Sequence, residues 1–250
     1  MSTLESRYQQ VLHQIAQSAA QANRNPDEIT LVAVTKTWPA ELILEAYAAG
    51  MRHFGENRAE ELEEKRPFIE AHLGPDSGIV WHFIGTLQSR KTNPIADYAD
   101  VFHALDRLKI ANRLASRLVE NGRTPTRPLP SFLEINVSGE MSKSGVNCTD
   151  WENSATQRDE IRNFGKTVAA LPGLTLQGLM TMAPWEADPE FIQTVFKRTR
   201  LLAEWLAEEL RLERPLSLSM GMTDDYPLAI AEGATHVRVG RALFGERQTH

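Results

Sequence analysis

The sequence predicts an α/β protein folded as a single (β/α)₈ barrel of the TIM type, with an extra helix at its N-terminus. Three observations carry that expectation. Short apolar runs alternate with longer stretches of helical period, the mark of βα units around a parallel sheet. Eight such apolar runs occur in order along the chain. At 250 residues the chain has the length at which one barrel closes around one core. An open doubly wound sheet shares the alternation, and the count of eight is what favours the barrel.

An amphipathic helix is expected within residues 1–25, with Leu4, Val11, Leu12 and Ile15 on one face, and the barrel over 30–245. The first strand is the apolar run 30–36, and Pro39 then opens a helix that stops at Gly50, matching the proline-in, glycine-out asymmetry of helix ends. The second strand, 53–57, leads into a charged helix from Arg58 to about Ala71. The third runs over 80–85 with a helix over 90–99, and the fourth over 101–105 with a helix from Arg107 to Glu120. Strand five, 130–137, is served by a helix at 160–170, and strand six, 174–182, by the longest helix, 189–212. Strand seven, 216–220, precedes a short helix at 226–232, and strand eight is 236–240. Long loops are expected at 121–129 and 138–158.

Composition narrows the function classes. With 42% hydrophobic and 24% charged residues, the chain is of ordinary globular type. A net charge of −6 argues against a nonspecific hold on nucleic acid through phosphate neutralisation. Nowhere do about 18 apolar residues run together, so no membrane span is expected. The single cysteine, Cys148, excludes an intrachain disulfide framework and fits a reducing compartment. The N-terminal segment also lacks the apolar stretch of a secretory signal, so a cytoplasmic protein is expected.

In such a barrel the functional side chains collect where strands end, because the βα loops build the pocket there. The first strand ends at Lys36 after Leu-Val-Ala-Val, placing an amine at the edge of a dry interior. Burial favours the neutral, nucleophilic amine, which is the chemistry of a Schiff base. The plainer alternative is a lysine snorkelling into solvent. Asn57 ends the second strand, where it either orients a bound ring or caps the helix starting at Arg58.

The loops after strands seven and eight are the recurrent phosphate site of this architecture. Gly221 and Gly240 allow close backbone approach there, and Ser219 and Thr223 offer hydroxyls. Asp224 and Asp225 would repel an anion and are expected to face away. Arg238 can face the barrel, where it either meets an anionic or acceptor group of a ligand or closes an ion pair with Glu134 or Glu56. His82 reads as a satisfied core histidine. No CxxC or HExxH motif and no carboxylate cluster indicates a metal.

Seven stretches in order then resemble a known family. They are Val-Ala-Val-Thr-Lys-Thr at 32–37, His-Phe-Gly-Glu-Asn at 53–57 and Trp-His-Phe-Ile-Gly-Thr-Leu-Gln-Ser at 81–89. Glu-Ile-Asn-Val-Ser at 134–138 with Ser-Lys-Ser-Gly at 142–145, and Gly-Leu-Met-Thr-Met at 178–182, continue the series. Ser-Met-Gly-Met-Thr-Asp-Asp at 219–225 and Val-Arg-Val-Gly-Arg-Ala-Leu-Phe-Gly at 237–245 complete it. Together they resemble the pyridoxal phosphate homeostasis proteins, the YggS/PROSC group. Arg90, where that group usually has Asn, and a longer polar stretch at 146–159 depart from its pattern.

The resemblance implies a barrel like the N-terminal domain of alanine racemase, without that enzyme's β-rich second domain. It also implies pyridoxal 5′-phosphate (PLP) held on Lys36. By the same matching, Asn57 sits near the ring, Arg238 near the pyridine nitrogen, and Ser219, Met222, Thr223 and Gly240 near the phosphate. The role implied is carrying or buffering the cofactor without established turnover, with PLP-dependent acceptor enzymes as partners; with no second domain to complete a dimeric active site, a monomer is expected. A PLP-dependent racemase or lyase is the competing reading, and a class I aldolase-type barrel or a plain binding scaffold is a third.

Overall fold

A ring of parallel strands forms the centre of the molecule. The computed structural model describes residues 3–123, 127–140 and 143–246. After α1 (Leu4–Gln21), capped by the Thr3 hydroxyl on the Ser6 N–H, come β1 (Thr30–Val34), α2 (Ala40–Ala48), β2 (His53–Glu56) and α3 (Ala59–Leu73). Then follow β3 (Val80–Phe83), α4 (Thr92–Tyr98), β4 (Val101–Leu105), α5 (Leu108–Glu120), β5 (Leu129–Asn136) and β6 (Val146–Asn147). The chain continues through α6 (Ala155–Ala170), β7 (Leu174–Met180), α7 (Pro189–Glu209), β8 (Ser217–Met222), α8 (Tyr226–Ala231), β9 (His236–Val239) and α9 (Arg241–Phe244).

Strand order is β4-β3-β2-β1-β9-β8-β7-β5, and pairing of β4 with β5 closes the ring of eight. The eight expected strands are these, which settles the barrel against the open sheet. The two-residue β6 pairs outside the ring on β5. Helix α6 begins five residues before the expected Glu160, because Ser154 accepts from the Gln157 N–H and starts it there. Parts of both expected long loops, 124–126 and 141–142, lie outside the described residues.

Outside the ring, Phe54, Trp81, Phe83 and Phe102 join Ile43, Leu62, Ile69 and Ile95 of α2, α3 and α4 in one apolar cluster. Each such side chain contributes about 1.5–3 kcal/mol through burial. The other set of alternating side chains meets at the centre of the barrel. There His53, His82, His103 and His236 contact one another, with His103 stacked on Phe132 at 4.5 Å. Helix α1 packs on α8 and α9, tied by a Tyr226 hydroxyl to Gln14 bond of 2.5 Å and by Arg24 donating to Ile230 O and Ala234 O.

Candidate functional site

Where the strands end, the barrel opens into a cavity of about 600 Å³, within the size range of small-molecule and cofactor sites. Lys36, Asn57, Met222, Thr223, Arg238 and Gly240 all line it. Ser219 does not. It is fully buried one layer below, where its Oγ accepts from Arg238 Nη1 at 2.7 Å and pairs with His103 Nδ1 at 2.7 Å.

β1 stops at Val34, two residues short of Lys36, which sits half-buried in a turn closed by Trp38 N–H donating to Thr35 O at 3.1 Å. Thr37 follows with φ +67°. A β-branched residue in the left-handed region costs about 1–2 kcal/mol, so something must hold it. Glu61 Oε2 accepts the Thr37 N–H at 2.7 Å and Lys65 Nζ at 2.7 Å. Lys65 Nζ also donates to Thr35 O and to Glu56 Oε1, each at 2.9 Å, and Thr35 Oγ1 donates to the same Glu56 oxygen at 2.7 Å. Burial pushes the Glu56 carboxyl up to about 7 against the pull of Lys65. Burial also pushes Glu61 upward, but the Lys65 and Thr37 hydrogen bonds outweigh it, and that carboxyl lies below its ordinary value.

Asn57 does not cap α3. Arg58 occupies the N-cap without a side-chain bond, and Asn57 Oδ1 is buried with no partner among the described residues. An unmade bond of that kind costs about 1–3 kcal/mol and marks an acceptor awaiting a donor. Beneath it, β3 leaves the barrel so close to β2 that a Cβ on Gly85 would lie 2.2 Å from Asn57 O.

Arg238 makes neither of the ion pairs allowed for it. Its guanidinium donates to Ser219 O at 2.8 Å, to Ser219 Oγ and to Thr181 O at 3.0 Å, all neutral acceptors. Burial pushes it down to about 10, with Asp225 and Glu134 pulling only partly the other way. It thus presents a buried positive charge to the cavity floor. Behind it runs a chain of imidazoles that sequence reasoning missed, since it treated His82 alone. His53 Nδ1 meets His82 Nε2 at 2.9 Å, His82 Nδ1 meets His103 Nε2 at 2.8 Å, and His103 reaches Ser219. Burial, helped by neighbouring imidazoles, holds His82 and His103 far below the ordinary histidine value. The available signal was a histidine at an inward position of β2, β3, β4 and β9.

The turn after β8 corrects a second expectation. Asp225 is buried instead of facing out, its Oδ1 accepting the Met222 N–H at 2.5 Å, and it does not line the cavity. Asp224 is exposed on the rim and pairs with Arg241, which also lies 5.6 Å over the Trp185 ring. Gly221, at φ +93°, is required by packing, since a Cβ there would lie 2.7 Å from Ala229 Cβ. At Gly240 a Cβ would make only ordinary van der Waals contact, the nearest being Val34 O at 3.4 Å.

The model of the alanine racemase N-terminal domain family matches residues 7–248, and the closed parallel barrel agrees with that class. Within that class, the chain belongs to the pyridoxal phosphate homeostasis protein family. It is 42% identical to the Pseudomonas aeruginosa member over 247 residues, 99% of this chain and 97% of that one. With the Escherichia coli member it is 38% identical over 250 residues, 99% and 98% of the two chains. Among solved structures, PipY of Synechococcus elongatus with PLP bound matches at 34% identity and a TM-score of 0.75, covering 92% of this chain and all of that one. An alanine racemase of Clostridium difficile shares the fold at 14% identity and a TM-score of 0.66, over 95% of this chain and 60% of its own.

Proposed function

We propose that this chain binds PLP at the barrel mouth, with Lys36 as the amine that condenses with its aldehyde, and holds and hands on that cofactor instead of turning over amino acids. One observation carries the second half. Among the described residues lining the cavity, Lys36 is the only amine, and there is no tyrosine or histidine. Two-base racemisation needs a proton carrier opposite the lysine. The wall's carboxylates, Asp224 and Glu246, are exposed, and Asp224 is paired with Arg241.

The donor set fits the cofactor. When bound, it supplies an electrophilic aldehyde and an anionic phosphate. Arg238, charged at neutral pH, would donate to the ring nitrogen and favour its unprotonated form, in which the ring is a poor electron sink. Asn57 serves the ring edge. Met222, Thr223 and Gly240 serve the phosphate, and Ser219 acts through Arg238, which it holds.

The chain works as one cofactor-binding domain over 1–250, with PLP-dependent acceptor enzymes as recipients and the cytoplasm as its place of work. A monomer suffices, because strand ends, loops and α9 of one chain supply every described residue lining the cavity. No described helix is long and apolar enough to cross a membrane.

Titration of the apo chain with PLP, followed by visible absorbance, tests this. Saturable binding lost in Lys36→Ala, without turnover of L-alanine or L-serine, is the expected outcome. Steady turnover that vanishes in Lys36→Ala would instead establish the racemase or lyase reading.

A further inference from the structure

Resting on the assignment of Lys36 as the cofactor amine, we propose that Glu61 and Lys65 are positioning residues that hold Lys36 ready by clamping the backbone on both sides of it. Lys65 Nζ takes the carbonyl of the residue before, Thr35, at 2.9 Å. Glu61 Oε2 takes the N–H of the residue after, Thr37, at 2.7 Å. The same carboxylate oxygen accepts from Lys65 at 2.7 Å, so the two grips are one unit. Glu56 completes it through Lys65 Nζ and the Thr35 hydroxyl.

Stability alone gives no reason for this arrangement. A buried lysine between two carboxylates gains little over apolar packing, because desolvation offsets the attraction. Threonine is moreover among the residues least suited to φ +67°, where glycine would sit without strain. A strained residue next to a reactive side chain, held by a dedicated hydrogen bond, is how a site stores a fixed geometry. The clamp sits on α3 and β2 while Lys36 belongs to the β1 exit, so the device ties the amine's position to the packing of α3 against the barrel.

The test is a cycle on the full-length chain: wild type, Glu61→Ala, Thr37→Gly, the double variant, and Glu61→Gln, which keeps a carbonyl for the Thr37 N–H. The PLP equilibrium is read from absorbance and from the fraction of Lys36 trapped by borohydride, and folding from thermal melting. Glu61→Ala should weaken the equilibrium by about tenfold, while Thr37→Gly, Glu61→Gln and the double variant stay within about threefold of wild type. Rescue by a glycine that needs no clamp is a result a merely structural ion pair would not give. Should Glu61→Ala not fold, Glu61→Met, which keeps the side-chain volume but not the acceptor, carries the same comparison with and without Thr37→Gly. An unchanged Glu61→Ala, or a double variant as weak as the single, overturns the clamp alone. Absence of any adduct in the wild type overturns the cofactor reading and the clamp with it.

Discussion

Replacing His236 by glutamine should remove a defined part of the protein's acid sensitivity. Burial, aided by His53 and Arg238, pushes the His236 imidazole down to about 4. Because the folded value is depressed, the unfolded chain binds the proton first. The stability tied to a neutral His236 is therefore complete above its ordinary value of about 6.5 and is lost as pH falls toward 4. Integrated to about pH 4.5, the loss is about 2–3 kcal/mol, and at about pH 7.5 it is close to zero. Urea unfolding of the apo protein at both pH values, followed by tryptophan fluorescence, measures it. Glutamine removes the hydrogen bond to Thr235 Oγ1 at either pH, so that cost cancels in the difference of differences. Wild type should lose about 2–3 kcal/mol more than His236→Gln between the two pH values, with unchanged denaturant slopes. Equal losses, or a larger loss in the variant, would refute the buried neutral imidazole at the barrel centre.

Glu56 should behave in the opposite sense. Its folded value is raised to about 7, so the native state keeps a proton that the unfolded chain releases, and stability falls as pH rises from 4.5 toward 7. Glu56→Gln should therefore gain on wild type by up to about 3 kcal/mol between these limits in the same unfolding assay. Arg238→Met removes three donated hydrogen bonds but also a buried charge, so its melting temperature should move little. PLP affinity should fall by about tenfold to a hundredfold in equilibrium titration. Gly221→Ala combines a positive φ with a Cβ 2.7 Å from Ala229 and should cost about 2–5 kcal/mol in thermal unfolding.

The eight barrel strands were legible because each is buried on both faces over four to eight residues and so reads as a short apolar run between helical stretches. The pairs Val146–Asn147 and the single turn Arg241–Phe244 were not, since neither is long enough to show a period. Lys36 stood out because an amine after an apolar run is chemically unusual. Asp225, expected to face out, is buried instead because its Oδ1 takes the Met222 N–H three residues back in the same turn, a contact that no helix-start rule anticipates. The imidazole chain joins residues 29, 21 and 116 positions apart, and the clamp on Thr37 comes from a helix 24 residues on. Both exist only once the barrel closes.

The central claim is that Lys36 is the amine that takes the cofactor. Reducing the PLP-loaded protein with borohydride and mapping its peptides by mass spectrometry tests it most directly. The predicted result is one phosphopyridoxyl group on Lys36, absent from Lys36→Ala. An unmodified Lys36, or a group carried elsewhere and retained in Lys36→Ala, would contradict the account.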